Sequence, residues 1–153
     1  MYTHIEDYIK ELYTVLSISK PEQLDIKTIA SKLGVNLLYG KATFRDGNDI
    51  VIKRSTQQKE WQIFGHEICH YLRHCGQQLK MHYLFRELQE YQANHFAYHF
   101  CVPTFMLDEL KIQNATEIMK NFNVEYDFAL KRLEMYQSKF YYLGGNYGRS
   151  YIV

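Results

Sequence analysis

His66, Glu67 and His70 stand in the order His-Glu-x-x-His, inside the stretch Phe64-Gly65-His66-Glu67-Ile68-Cys69-His70-Tyr71-Leu72. On a helix each residue turns by about 100°, so side chains four apart lie one turn apart on a shared face. Two imidazoles placed that way reach one small cation. A carboxylate next in sequence to the first imidazole lies beside that cation, within reach of a water there. Imidazole nitrogen suits zinc, which takes a third protein ligand in hydrolytic sites and keeps its fourth position for solvent. The pattern therefore nominates His66 and His70 as metal ligands and Glu67 as a general acid/base.

A third ligand has to come from another element. The spacing predicts a long helix from Tyr83 to Cys101, stopped by Pro103. One face of it carries Tyr83, Glu87, Glu90, Asn94, Ala97 and Cys101, with Ala93 beside them. The small residues at 93 and 97 would let this helix approach its neighbour closely. Glu90 is the expected third ligand, with Asn94 one turn on as its orienting partner and Glu87 in reserve. His74 continues the four-residue spacing but lies about 12 Å along the axis from His66, too far to share an ion with bonds of about 2 Å. The longer pattern His-Glu-x-x-His-x-x-Gly-x-x-His fails as well, because Arg73 and Gly76 stand at the Gly and His positions. His95 and His99 repeat the spacing with no acid between them and fall off the Glu90 face. They are expected to face solvent or to be hydrogen-bonded structurally. Cys69 points away from both ligand histidines and belongs to the core. For a group that steadies an oxyanion, Tyr71, His74, Tyr83 and Tyr98 are all candidates.

The elements that must position these groups follow from periodicity. Ser55 or Thr56 can cap the helix of the motif, whose buried stripe is Trp61, Phe64, Ile68 and Leu72; Gly76 is placed to end it. Upstream, Ile5, Tyr8, Ile9, Leu12, Tyr13 and Leu16 mark an amphipathic helix from Ile5 to about Ser17. A shorter helix from Asp25 to Leu33 is closed by Gly34. Ile29-Ala30-Ser31-Lys32-Leu33-Gly34-Val35 has the form that opens many helix-turn-helix units, but the residues after it read as extended chain. Two apolar segments, Leu37 to Phe44 and Ile50-Val51-Ile52, flank the turn-forming run Arg45-Asp46-Gly47-Asn48-Asp49. A hairpin or small antiparallel sheet is expected there. It covers the metal-bearing helix, or offers a free edge on which an extended peptide is laid.

Downstream, a short helix runs from Pro103 to Leu110. Ala115 to Asn121, a tight turn and Glu125 to Phe140 then form a helix-turn-helix shape. Its second helix mixes Lys131, Arg132 and Lys139 with Glu125, Asp127 and Glu134, which favours packing or partner docking over DNA reading. The fold expected is α+β, mainly helical, with a small antiparallel sheet beside the motif helix. One domain spans 1–153: a catalytic core over about 25–110, the helix-turn-helix-like part over 111–140, and a loose tail over 141–153.

Composition sets the outer bounds. The chain has 153 residues, 46% hydrophobic and 23% charged, as a folded globular protein of one domain has. A formal charge of +1 supplies no whole-molecule attraction to nucleic acid or membrane. No apolar run reaches membrane-spanning length, and the N-terminus lacks a basic segment followed by an apolar one. The three cysteines do not make a disulfide framework. These features together lead to an expectation of the reducing cytoplasm.

His66-Glu67-Ile68-Cys69-His70, then Glu90-Tyr91-Gln92-Ala93-Asn94-His95-Phe96-Ala97, then Val102-Pro103, resemble the ImmA/IrrE family of zinc-dependent endopeptidases. The likeness also takes in the upstream Ile29 to Val35, the extended Ile50-Val51-Ile52 and the Phe122-Asn123-Val124 turn, and so covers residues from about 25 to 135. It implies a zincin-like, cytoplasmic, bacterial or phage-encoded protease. Its substrate would be a helix-turn-helix transcriptional repressor, cut to relieve repression of a mobile element, prophage or stress genes. Residue by residue it supports His66, His70 and Glu90 as zinc ligands and Glu67 as the catalytic acid/base. One departure is Cys101-Val102-Pro103, where the family usually has Leu-Met-Pro; it concerns packing. The rival reading is a regulator that binds a repressor or DNA without cutting, its metal structural or absent.

Overall fold

The computed structural model describes residues 2–73 and 82–143. His74, Gly76 and the chain beyond 143 lie outside the described residues, as do the helix terminator and most of the loose tail expected there; residues 141–143 of that tail continue the last helix. Among the described residues seven α-helices and three strands follow in the order α1 (His4–Val15), α2 (Ile26–Leu33), β1 (Asn36–Gly40), β2 (Phe44–Asp46), β3 (Asp49–Lys53), α3 (Gln57–Arg73), α4 (Tyr83–Cys101), α5 (Thr104–Leu110), α6 (Ala115–Phe122) and α7 (Tyr126–Leu143). The α+β class expected from the sequence holds.

Local chemistry accounts for most of the boundaries. Thr3 and Glu6 form a reciprocal capping box on α1. Asp25 caps α2 by accepting from the Thr28 N–H, and Gly34 closes it in the left-handed region at φ 74°. Thr56 Oγ1 accepts from the Lys59 N–H at 3.2 Å, capping α3. Pro103 stands immediately before α5, and Asn123, at φ 54°, ends α6.

The sheet departs from the expected antiparallel hairpin. Its order is β1-β3-β2, with β1 parallel to β3 and β2 antiparallel to it. The run from Leu37 to Phe44 is not one strand but two, broken over residues 41–43. Ile50 and Ile52 are fully buried and Val51 nearly so, which suits β3 to the centre, with a strand on either side. The chain leaves β1, passes the position of β3, and returns along the outer edge as β2. Register then decides direction. Arg45 of β2 lies opposite Ile50, so it shares the core-facing side of the sheet with Ile50 and Ile52.

Helices α3 and α4 make the most extensive contact between any two described elements. A Cβ on Gly65 would stand 2.9 Å from Cys101 Sγ and 3.2 Å from Phe100 Cδ1, so a glycine there lets the two helices approach. Phe100 is the hub of the core, stacked on Tyr13 and Phe96 and in contact with Trp61 and Phe64. The buried Tyr13 hydroxyl donates to the Phe100 carbonyl at 2.7 Å, so α1 is tied to the end of α4.

A buried polar network fastens the C-terminal helices to this core. Arg132 of α7 is fully buried; its Nε donates to the Val102 carbonyl at 2.9 Å and its Nη2 to Thr104 Oγ1 at 2.8 Å. Thr104 Oγ1 donates to Glu6 Oε1 at 2.8 Å, and Lys139 Nζ lies 3.2 Å from Glu6 Oε2. Two of the three cations on α7 singled out above thus serve the interior.

Candidate functional site

His66 and His70 project from α3 on the side that faces α4, one turn apart, with ring centroids 4.9 Å apart. Between them comes Glu90, from the middle of α4. Its Oε2 is 2.9 Å from His66 Nε2 and its Oε1 is 3.0 Å from His70 Nε2, while the two Nε2 atoms are 3.2 Å apart. His70 is buried, and the Glu90 side chain remains 42% exposed, so the cluster is open on one side.

These distances have a simple reading. Three donors on a tetrahedral ion with bonds of about 2.0–2.1 Å are separated by about 3.3 Å. Here the two Nε2 atoms are 3.2 Å apart and each has a Glu90 oxygen of its own at 2.9 or 3.0 Å, spacings close to that figure. The tautomer also fits. His66 Nδ1 lies 2.8 Å from Asn94 Oδ1; an N–H there donates to that carbonyl oxygen and turns Nε2 toward Glu90 and His70, the orientation a metal ligand needs. Imidazole nitrogens and carboxylate oxygens crowded within about 3 Å are held together by a shared positive charge, a proton or a metal ion. The donor set of two imidazoles and one carboxylate suits zinc.

The sequence-predicted residues divide clearly. His66, His70 and Glu90 come together, Asn94, expected to orient Glu90, meets the ring of His66, and Glu67 stands next to the cluster. Glu87 does not join: it accepts a hydrogen bond from the Tyr83 hydroxyl, which with the carboxylate's charge pushes that phenol up. Tyr71 donates to the Leu33 carbonyl at the end of α2. Tyr98 lies stacked on Phe128. Cys69 is fully buried, and burial pushes its thiol up to about 12, so it stays a neutral core residue; among the described residues neither it nor Cys101 is in a disulfide. His95 is exposed, but His99 is buried and not solvent-facing, because the turn that carries it packs against α7.

One participant was missed. Arg45, from the edge strand β2, places Nε 2.7 Å from Glu67 Oε2. In the sequence it reads only as the first residue of a turn. Its register opposite Ile50 would have aimed it at α3, but that register depends on the order of the strands. The edge of β2 turned away from β3 pairs with no strand among the described residues.

Comparison with known proteins bears on this arrangement. Residues 21–134 match the peptidase M78 family, described as the IrrE N-terminal-like domain. The chain is 38% identical over 153 aligned residues to the phage-like element PBSX protein XkdA of Bacillus subtilis (strain 168), covering 90% of this chain and 75% of that protein. It is 34% identical over 148 residues to the protein YqaB of the same organism, covering 90% of this chain and 86% of that protein.

Proposed function

The chain belongs to the peptidase M78 family, and from that premise we propose that it is a zinc-dependent endopeptidase. His66, His70 and Glu90 hold the ion and Glu67 is the acid/base. The observation that carries this is the convergence of the three donor atoms, from two helices, with a fourth side left open to solvent. Zinc bound there would lower the pKa of water towards about 7 and polarise the scissile carbonyl. Glu67 takes the proton of the attacking water and delivers it to the leaving amine as the C–N bond breaks. Arg45 holds Oε2 of that carboxylate, which leaves Oε1 to carry the proton. Asn94 fixes the ring of His66. The free edge of β2, beside the cluster, is suited to take an extended peptide by backbone hydrogen bonds.

The substrate we propose is a cytoplasmic helix-turn-helix repressor, cut to release a mobile element. The support is the family resemblance and a relative named for a phage-like element. The catalytic core spans about residues 25 to 110, with α6 and α7 as an appended part. A role as a DNA-binding regulator is weakened by the burial of Arg132 and the pairing of Lys139 with Glu6. The test is incubation of the purified, zinc-loaded protein with the repressor encoded beside it. A chelator-sensitive cut is expected; an intact repressor, together with tight salt-dependent DNA binding by this chain, would replace the protease with the regulator.

A further inference from the structure

Beside the triad lies a cleft of about 570 Å³. His66 and Glu67 stand at its border, and Ile63, Ala97, Tyr98 and Phe128 give it apolar walls. Phe128 belongs to neither metal-bearing helix. It comes from α7, in the helical pair whose sequence resembles a helix-turn-helix unit.

Two hydrogen bonds bring it there. Gln62 Nε2 donates to Glu125 Oε1 at 2.9 Å, and the Glu125 N–H donates to Gln62 Oε1 at 2.8 Å. The backbone N–H groups that begin a helix have no partner within it, and Gln62 satisfies this one. Gln62 precedes His66 by one turn of the same helix, so the start of α7 is held in register with the triad. Phe128 then stacks on Tyr98, with ring centroids 4.4 Å apart and planes at 28°. Both rings are only half-buried.

We infer that this cleft is the subsite for a substrate side chain flanking the scissile bond, and that it selects a large apolar one such as Leu, Met or Phe. The inference rests on the peptidase reading and deepens it. Half-exposed aromatic rings bordering a hydrolytic centre gain when an apolar group displaces water from them. A charged substrate side chain would lose hydration without a matching partner. Gln62 is committed to Glu125, Asn94 to His66 and Thr43 to the Lys53 N–H; Lys59 at the rim is exposed and screened, and Glu67 repels an acid while its pairing with Arg45 weakens its pull on a base. The helical pair α6–α7 therefore takes part in substrate choice, through Phe128.

The experiment uses the full chain and internally quenched peptides that differ at one position, with the cut mapped by mass spectrometry. Zinc-loaded protein should cut beside Leu, Met or Phe with kcat/KM roughly 10- to 100-fold above Asp or Gly at the same position. Phe128→Ala should compress that ratio, chiefly through KM, while Phe128→Leu retains most of it. Ile63→Phe, which fills the cleft instead of opening it, should shift preference to smaller residues. Independently of turnover, the Glu67→Gln chain should bind a fluorescent Leu-containing peptide, and adding Phe128→Ala should weaken that binding. Cleavage whose preference is untouched by both Phe128→Ala and Ile63→Phe would overturn the subsite and leave the peptidase intact. Phe128-dependent binding with no cleavage of any peptide by the zinc-loaded protein would sink the peptidase and leave the cleft as an apolar side-chain binding site only.

Discussion

Two histidine pairs in this molecule share one spacing and meet opposite surroundings. His66 and His70 have ring centroids 4.9 Å apart at 64°, and His95 and His99 have them 4.8 Å apart at 58°. Seen alone, the pairs are nearly interchangeable. The first faces the carboxylate of Glu90 and is oriented by Asn94. The second faces Arg132. Burial, and after it the charge of Arg132, pushes His99 down to about 2, so its imidazole is neutral, and its Nδ1 has no hydrogen-bond partner among the described residues. Helical spacing supplies two donors; the sign of the charge on the facing helix decides whether a cation is welcome between them.

The comparison can be broken most severely at the third donor. Glu90→Ala should strip the first pair of its metal during dialysis and abolish turnover with it, whereas Glu87→Ala should retain both. Bound zinc measured after dialysis checks this, and the reverse order would move the role to Glu87. Next comes Glu67→Gln, which leaves the donor triangle intact: bound zinc should match the parent while turnover falls by about 10²- to 10⁴-fold. Substantial cleavage by that variant would remove Glu67 from the mechanism. Asn94→Ala tests the orienting contact, and zinc affinity should drop by roughly 10- to 100-fold, as competition with a chromogenic chelator would read.

The smallest effect sharpens the other side of the contrast. His99 titrates near its ordinary 6.5 in the unfolded chain and at about 2 when folded. Between those values the unfolded state binds more protons, so acid favours unfolding. The stabilisation is complete above about pH 6.5 and falls as pH is lowered below it, by on the order of 1–2 kcal/mol between pH 7 and 5. Glu6 acts in the same direction further down. Burial pushes its carboxyl up, but hydrogen bonds from the Thr3 N–H and Thr104, and the pairing with Lys139, outweigh that and hold it below 4.5. Denaturation midpoints at the two pH values should therefore differ less for His99→Gln than for the parent. An unchanged slope would mean that His99 does not carry it.

Much of the architecture was legible because its causes are local. The range Tyr83 to Cys101 followed from apolar spacing and a proline two residues past its end. Thr56, Gly34 and Asn123 mark helix ends through their own side-chain or backbone chemistry. Face geometry on two helices, plus small residues that let them meet, put forward Glu90 with Glu87 in reserve on the same face. The sheet was misread for a physical reason. Alternation shows where strands are but says nothing of their order, and the parallel pairing of β1 with β3 depends on β3 being the strand with most to bury.

By itself, then, the order of residues determined most of the helices, several of their ends and the motif face, since each depends on neighbours within a few positions; Glu90 and Glu87 both lay on the face that could complete it, and packing chose Glu90. Only the tertiary structure brought Arg45 to Glu67, buried His99 against Arg132, and set Phe128 beside the His66–Glu67 face. Those contacts join positions 22 to more than 60 residues apart, and they exist because strand order, helix packing and the Gln62–Glu125 clamp place side chains that no local pattern relates.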